Sequence, residues 1–293
     1  MKFAKLQGAG NDFLVVDLRV AAAADAVAAQ DPQNVIAACD RQFGVGGDGV
    51  LAILPPTTPG AVARMRVLNA DGSEAEMCGN GIRCVAKELY ERGGVREPRM
   101  VIDTGAGPLT CELDLDARDE VRGVTVAMGA PRLRRADIPM RGPADERCID
   151  APLDGTSLAV TAVSMGNPHA IAFVDSRDDA YRLATTLGPT VERHAAFPNR
   201  TNSEFAFVRT RREIDLVVWE RGCGITLACG TGACATAVAA ITTGRCDDAE
   251  LAVHLPGGTL AIRVTADNVY MRGPAARAFD GELDFARLAR RPS

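Results

Sequence analysis

The amino-acid sequence predicts an α+β fold made of two similar halves, each a β-sheet wrapped around one helix. Three observations support this prediction. The chain has 293 residues, which is long for a single hydrophobic core. Strand-like runs greatly outnumber helical patterns, which favours α+β over an alternating βαβ chain. One short motif occurs twice, far apart in the chain, each time after strand-like residues and at the start of a predicted helix.

Short apolar or alternating runs predict the strands, because successive side chains of a strand point to opposite faces of the sheet. Pro256-Gly257-Gly258 predicts a hairpin between the last two runs. The predicted strands span residues 13–18, 63–68, 100–103, 123–128, 158–163, 170–174, 204–208, 214–219, 251–255 and 259–264.

Three segments have helical character. Asp31 followed by Pro32 is typical of a helix start, and we expect this helix to continue towards Phe43. A second helix is predicted over about 81–92, with apolar residues at helical spacing. The third, over about 231–243, is small or apolar on every side, which predicts that it is buried all round.

Composition excludes several classes of function. The formal net charge is −5 and no block of Lys or Arg stands out, so we expect no nucleic-acid partner. No apolar run of about 18 residues predicts a membrane helix, and no secretory signal is evident. Nine cysteines without such a signal favour reduced thiols in the cytoplasm. Since the cysteines lack C-x2-C spacing and the three histidines are scattered, we expect no metal.

The repeated motif is Cys-Gly-x-Gly, with its cysteines at Cys78 and Cys229. A cysteine just before a helix lies beside unpaired N–H groups and the positive end of the helix dipole, which lowers a thiol pKa. The glycines let the backbone approach a ligand, and the N–H groups can bind a carboxylate. A lone cysteine is more often a small buried hydrophobe, and we assign the other seven to that role.

Two such elements suit the inversion of an amino-acid α-carbon. Inversion removes a proton from one face of the carbon and adds one to the other, so it needs two acid/base groups. A thiolate and a thiol can exchange these roles with the direction of reaction. Cys78 and Cys229 are therefore the candidate catalytic pair.

Five motifs along the chain together resemble the diaminopimelate epimerase family. Their order and spacing are those of the family, and the resemblance covers nearly the whole chain. The motifs are Phe3–Phe13, Asn69–Glu74 with Met77–Gly81, Ser164–His169, Trp219–Gly222 and Ala228–Gly232.

This resemblance implies a pyridoxal-independent interconversion of LL- and meso-2,6-diaminopimelate, in the pathway to lysine and cell-wall precursors. It also implies two pseudo-symmetric halves, each a curved, mostly antiparallel sheet around a central helix, and a homodimer. The first half spans residues 1–122, completed by about 276–293, and the second spans 123–275. No cofactor is expected, and the partner is the small-molecule substrate.

The resemblance further assigns the site residues. His169 and Glu220 are expected to tune the cysteines, and the carboxylate beside the reacting carbon is expected at Gly79, Asn80, Gly230 and Thr231. Arginine can bind a carboxylate through two parallel hydrogen bonds, and asparagine offers both donors and acceptors to an amino-acid group. The expected substrate contacts are Asn11, Asn69, Asn167, Asn202, Glu220 and Arg221.

Three alternatives remain open from the sequence. Proline racemases and hydroxyproline epimerases resemble Met-Cys-Gly-His-Gly, whereas Asn80 stands here in place of the histidine. A phenazine-biosynthesis-like isomerase would lack the cysteine pair. A redox-responsive binding protein could join Cys78 to Cys229 on oxidation. A nucleotide site at the glycine-rich segment 43–49 is rejected, because no Gly-Lys-Ser/Thr follows.

Overall fold

The computed structural model describes residues 1–288 and divides into two compact units. The first comprises Met1–Val126 and the chain from Gly273 on, and the second comprises Ala127–Arg272. These boundaries lie a few residues from the predicted ones. The predicted boundary at Gly123 falls inside a strand, Val121–Ala127, most of which belongs to the first unit.

The first unit begins with eight strands and three helices. Helix α3 contacts six of these strands, and nearly all of its residues are buried, so the sheet wraps around this helix. The elements are β1 (Lys2–Gly8), β2 (Asn11–Asp17), α1 (Ala23–Gln30), α2 (Pro32–Cys39), β3 (Gly49–Leu54), β4 (Ala63–Asn69), β5 (Glu74–Ala75), α3 (Gly79–Glu91), β6 (Arg99–Thr104), β7 (Gly107–Leu115) and β8 (Val121–Ala127).

The second unit contains nine strands and two helices among the described residues. Helix α5 packs against five strands, β10, β11, β12, β15 and β16, and is the central helix of this unit. The elements are β9 (Ala151–Pro152), β10 (Ala159–Ser164), β11 (Pro168–Phe173), α4 (Arg177–Glu192), β12 (Asn202–Thr210), β13 (Glu213–Glu220), β14 (Gly224–Ile225), α5 (Gly230–Thr242), β15 (Leu251–Leu255), β16 (Gly258–Val264) and β17 (Val269–Gly273).

The same order of strand pairings occurs in both units. In the first, β1 and β2 are antiparallel, β2 and β3 parallel, β3 and β4 antiparallel, β4 and β6 parallel, and β6 and β7 antiparallel. In the second, β10 to β13, β15 and β16 repeat this series. The internal repeat in the sequence therefore corresponds to a repeat of topology, and the predicted sheet-dominated α+β class is confirmed.

The last strand returns to the first unit. Strand β18 (Ala276–Glu282) pairs with β1 in antiparallel register, with Lys2 opposite Glu282 and Gln7 opposite Ala276. A second pairing at β1 leaves that strand hydrogen-bonded on both sides, since β2 occupies its other edge.

The predicted helices are present, with one error in length. Helix α2 ends at Cys39 rather than near Phe43, because the carboxylate of Asp40 accepts hydrogen bonds from the backbone N–H groups of Gln42 and Phe43 and forms a turn. The hairpin at Pro256-Gly257 is confirmed by the pairing of Leu255 with Gly258.

Two helices and several strands were not predicted. Helix α4 is mostly polar, so its hydrophobic pattern is weak, but Ser176 caps it through the backbone N–H of Asp179 at 3.1 Å. The strands β1, β3, β5, β7, β9, β14, β17 and β18 were also not predicted. No helix in the described part of the chain is long and apolar enough to cross a membrane.

Candidate active site

Each of the two motif cysteines caps its central helix. Cys78 has an extended backbone, and its Sγ accepts a hydrogen bond from the N–H of Gly81 at 3.3 Å. Cys229 does the same for Gly232 at 3.4 Å. The prediction that both cysteines open a helix is confirmed, and each sulfur lies at the positive end of a helix dipole.

The second glycine of each motif permits close packing between helix and sheet. A Cβ added to Gly81 would lie 3.0 Å from Leu51 Cδ2 on β3. A Cβ added to Gly232 would lie 2.9 Å from Glu204 Oε1 on β12 and 3.2 Å from the Sγ of Cys229. These contacts are tighter than ordinary van der Waals contacts, so a side chain at either position would displace its neighbour.

In the first unit, Asn80 belongs to a series of hydrogen-bonded amide and charged side chains. Asn80 Nδ2 donates to Oδ1 of Asn11, and Asn11 Nδ2 donates to Asp48 Oδ2 at 3.1 Å. Arg83 Nη2 donates to Asn80 Oδ1 at 2.8 Å. The structure thus places two of the predicted binding residues in contact, with Asn11 on β2 next to Asn80 at the start of α3.

Arg83 and Asp48 are residues that sequence reasoning missed. Arg83 is fully buried and also donates to the carbonyl oxygens of Gly79 and Pro274 at 3.0 and 3.1 Å. Its position five residues after Cys78, inside an apolar helix pattern, was the available signal, since a buried arginine needs hydrogen-bond partners.

Asn69 lies at the end of β4, beside a tight turn. Its Nδ2 donates to Ser73 Oγ at 2.9 Å, and its backbone N–H donates to the carbonyl of Ser73 at 2.8 Å. Gly72 takes a positive φ of 82° in this turn. Opposite Asn69 on β3 stands Gly49, where a Cβ would lie 2.5 Å from the carbonyl oxygen of Leu68.

In the second unit, a hydrogen-bonded series leads from His169 to Cys229. His169 Nε2 lies 2.9 Å from Asn167 Oδ1, and Asn167 Nδ2 donates to Thr231 Oγ1 at 3.3 Å. Thr231 Oγ1 lies 3.6 Å from Cys229 Sγ. Three predicted residues, Asn167, His169 and Thr231, are therefore in one connected set with the cysteine.

Glu204 is a third residue of the site that the sequence did not predict. Its Oε1 lies 2.7 Å from His169 Nδ1, and both side chains have zero exposure. Burial raises the pKa of Glu204, although His169 opposes the shift. A glutamate at the start of a predicted strand carries no local sign of burial, so no signal in the sequence pointed to Glu204.

Glu220 stands close to the cysteine. Thr226 donates to its Oε1, and its carboxyl is close enough to Cys229 for each group to shift the pKa of the other. Burial raises the pKa of Glu220. Of the two residues expected to tune the cysteines, Glu220 lies next to Cys229, whereas His169 is connected to it through Asn167 and Thr231.

The electrostatic expectation for Cys229 was wrong. We expected its place at a helix N-terminus to lower the pKa of the thiol. Instead burial raises it well above the ordinary value, and the nearby Glu220 and Glu204 raise it further, while Thr231 and the N–H of Gly232 oppose the shift only in part. The helix dipole is outweighed because burying a thiolate beside two acids costs more free energy than the helix N-terminus contributes by its interaction with the sulfur.

The side chain of Asn202 binds the backbone of Arg221. Asn202 Nδ2 donates to the carbonyl of Pro168 at 3.1 Å, and its Oδ1 accepts from the N–H of Arg221 at 2.8 Å. The guanidinium of Arg221 is exposed and donates to the carbonyl of Asn199 at 3.1 Å. Asn202 is buried, so its amide orients the turn that carries Arg221.

None of the nine cysteines, all of which the structure describes, forms a disulfide. Within residues 1–288, no three His, Cys, Asp or Glu side chains are grouped so as to hold a metal ion.

The sequence comparisons with known proteins agree on one family. The sequence profile of the family described as diaminopimelate epimerase matches residues 3–134 and 161–278. The diaminopimelate epimerase of Heliobacterium modesticaldum is 47% identical over 287 residues, covering 97% of this chain and 99% of the relative. That of Pelotomaculum thermopropionicum is 48% identical over 289 residues, with coverage of 97% and 99%.

Solved structures share the fold at low sequence identity. A PhzF-family phenazine biosynthesis protein from Bacillus anthracis has a TM-score of 0.68 at 19% identity, covering 97% of this chain and 98% of that one. A probable proline racemase from Agrobacterium radiobacter has a TM-score of 0.67 at 15% identity, with coverage of 97% and 92%. At these identities the similarity concerns the architecture alone.

Proposed function

The chain belongs to the diaminopimelate epimerase family, and from this premise we propose that it interconverts LL- and meso-2,6-diaminopimelate. It would then act as an isomerase that supplies lysine and cell-wall biosynthesis. The observation that carries the proposal is the pair of matched caps, in which the sulfurs of Cys78 and Cys229 each accept a hydrogen bond from the backbone N–H three residues further on.

The proposed reaction replaces the proton at one α-carbon by another from the opposite face. A thiolate removes the α-proton from one face, and the thiol of the other cysteine delivers a proton to the opposite face. The configuration inverts, and the two sulfurs exchange protonation states. In the reverse direction the roles of Cys78 and Cys229 are exchanged, as microscopic reversibility requires.

The helix ends are proposed to support the developing carbanion. The first N–H groups of an α-helix have no partner within the helix, so they can hold a carboxylate. We assign this role to the backbone at Gly79 and Asn80, and at Gly230 and Thr231. Stabilising the charge that spreads from the α-carbon into this carboxylate lowers the barrier to proton removal.

The second amino-acid end of the substrate requires its own polar contacts, since only one centre is inverted. We propose Asn11, Asn69, Asn167, Asn202, Glu220 and Arg221 for substrate binding. A guanidinium has five N–H donors, and the carbonyl of Asn199 engages one of those of Arg221, which leaves this side chain suited to a carboxylate. The acid and base in this scheme are both protein thiols, so we propose that no pyridoxal phosphate takes part.

The experiment that tests the function uses reduced, purified protein and LL-diaminopimelate in D2O, without added pyridoxal phosphate or metal. Formation of the meso isomer with solvent deuterium at the inverted centre is expected. Folded, reduced protein that gives neither product nor exchange would contradict the proposed substrate, and proline and hydroxyproline would then be tested.

Variants test the roles of the two sulfurs. Cys78→Ala and Cys229→Ala should each abolish epimerisation with the fold retained, because each variant lacks the proton carrier for one face. Cys223→Ala is the control, since Cys223 is an exposed thiol in the same unit as Cys229. Full turnover by either of the first two variants would overturn the two-base scheme.

We also propose that the protein is a cytoplasmic homodimer. Light scattering coupled to size-exclusion chromatography should give twice the chain mass of 30.8 kDa. A mass of one chain would contradict the dimer.

A further inference from the structure

A buried carboxylate lies at the C-terminal end of α4, outside the set of proposed site residues. Glu192 is 3% exposed, and its carboxylate accepts hydrogen bonds from the indole N–H of Trp219 at 2.8 Å and from the backbone N–H of Gly222 at 3.2 Å. These two donors flank Glu220 and Arg221 in the sequence. One side chain of α4 therefore holds both ends of the dipeptide that carries two proposed binding residues.

Glu192 also holds the segment that leads into β12. Its backbone carbonyl accepts from the N–H of Thr201 at 3.1 Å, and its Oε1 accepts from Nη1 of Arg200 at 3.4 Å. The carbonyl of Asn199, in the same segment, accepts from the guanidinium of Arg221 at 3.1 Å. The side chain of Arg221 is thus bound to a segment that is itself bound to Glu192.

The turn that carries Arg221 is short and is anchored at two consecutive N–H groups. The N–H of Arg221 donates to Oδ1 of Asn202 at 2.8 Å, and the next N–H, that of Gly222, donates to Glu192. Residues 221–223 alone separate β13 from β14, which pair with each other. Because so few backbone dihedral angles lie between the anchors, a displacement of Gly222 would also move Arg221.

The side chain of Glu192 is ionised and closely packed. Burial acts to raise its pKa, but the hydrogen bonds from Trp219 and Gly222 outweigh burial, so the pKa lies below its ordinary value. An ionised carboxylate accepts at both oxygens, which matches the donors around it. Helix α4 also packs directly on β13, since a Cβ added to Gly188 would lie 2.7 Å from the Cβ of Trp219.

We propose that Glu192 is a positioning residue for substrate binding, which fixes the guanidinium of Arg221 for the carboxylate at the substrate end that does not react. Glu192 acts through the turn at Gly222 and through the segment at Asn199 rather than by touching the substrate. The assignment of Arg221 to that end belongs to the proposed function, on which this role rests.

The variant Glu192→Gln tests the role. It keeps the length of the side chain but replaces one oxygen by an NH2 group, so that either Trp219 or Gly222 then faces another donor. The KM for diaminopimelate should rise about tenfold, the effect of losing one hydrogen bond to a charged group, while kcat changes less. An unchanged KM, or a fall in kcat alone, would overturn the proposal.

A double variant tests whether Glu192 acts through Arg221. When Glu192→Gln is added to Arg221→Ala, KM should change by less than about twofold, because the group that Glu192 positions is already absent. A further rise of about tenfold would mean that the two residues contribute independently, and it would overturn a role exerted through Arg221.

Asp215→Asn is the matched control. Asp215 is another buried carboxylate of the same unit, on β13, and it pairs with Arg209. Its loss should lower stability, measured by urea denaturation, and leave KM unchanged. A rise in KM equal to that of Glu192→Gln would mean that losing any buried carboxylate of this unit weakens binding, which would contradict a specific role for Glu192.

A second variant applies if Glu192→Gln does not fold. Trp219→Phe removes one donor to Glu192 and keeps an aromatic ring against Gly188, while the N–H of Gly222 still donates to the carboxylate. KM should rise, by less than the loss of Glu192 would cause, with kcat changed less than KM. In that case a wild-type KM in Trp219→Phe would overturn the proposal.

Failure of the proposed function gives a different result from failure of this role. A wild-type protein that does not act on LL-diaminopimelate would overturn the function, and the role of Glu192 with it. An active wild-type protein whose KM is shared by Glu192→Gln would overturn the role of Glu192 alone.

Discussion

Arg83 donates a hydrogen bond from Nη2 to Oδ1 of Asn80 across 2.8 Å, and both side chains are buried. This bond orients the Asn80 amide so that its Nδ2 faces Asn11. An arginine one turn inside the helix therefore orients a side chain of the proposed carboxylate-binding site next to Cys78. The same arginine ties that turn to the carbonyl of Pro274, close to the point where the chain returns to the first unit.

Arg83→Met should destabilise the protein by about 2 kcal/mol, because it removes the hydrogen bonds that the buried guanidinium donates to Gly79, Asn80 and Pro274. Epimerase activity should fall as well, since the Asn80 amide loses its fixed orientation. Urea denaturation measures the stability and steady-state kinetics the activity. Arg122→Met is the control, because Arg122 is a mostly exposed arginine of the same unit. Equal losses in both variants would show that Arg83 has no special role.

Gly232→Ala should reduce activity by about 100-fold, because small displacements of catalytic groups have effects of this size. The added Cβ would lie 2.9 Å from Glu204 Oε1 and 3.2 Å from Cys229 Sγ, so one of them must move. Gly123→Ala is the matched control, since its nearest neighbour would be 3.5 Å away. The measurement is kcat and KM of both variants. Wild-type turnover in Gly232→Ala would mean that the space between Glu204 and Cys229 accommodates a methyl group.

Arg221→Ala should raise KM more than it lowers kcat, because the proposed contact holds the substrate end that does not react. The backbone N–H of residue 221 still binds Asn202 in this variant, so the turn should persist. Initial rates over a range of diaminopimelate concentrations measure both constants. Arg182→Ala, at an exposed arginine of α4, should leave both unchanged. A normal KM in Arg221→Ala would remove the residue from the binding set.

Stability should decline in alkaline solution because of buried thiols. Burial raises the pKa of Cys39, Cys84 and Cys111 from 9.0 to about 12. Above pH 9 the unfolded chain releases these protons while the folded protein retains them, so the unfolding free energy falls as pH rises towards 12. Each thiol contributes up to about 1.4 kcal/mol per pH unit.

Urea denaturation between pH 8 and pH 11 tests this dependence. Cys84→Ala should make the decline less steep, because one of the buried thiols is gone. Cys223→Ala should leave the slope as it is, since Cys223 is exposed. A wild-type slope in Cys84→Ala would show that other groups cause the alkaline loss.

Much of the fold and of the site could be predicted because the signals are local. The short Cys-Gly-x-Gly motif predicts a helix cap, a close approach of the backbone to a ligand and a binding site for an anion. Both caps are present as expected. The all-apolar pattern of α5 predicts a central helix, and all but a few of its residues are buried. Strands with weak patterns, such as β1 and β7, were missed because their burial comes from pairing with distant segments.

By itself, the sequence determined that two cysteines open two buried helices in a repeated α+β chain, because capping and periodicity act over a few residues. Only the tertiary structure decided what surrounds each sulfur. Glu204 and His169 are 35 residues apart, and they meet only because β11 and β12 pair in parallel around α5. Burial and nearby charge depend on such distant packing, and they set the pKa of Cys229 against the direction that its helix end alone would give.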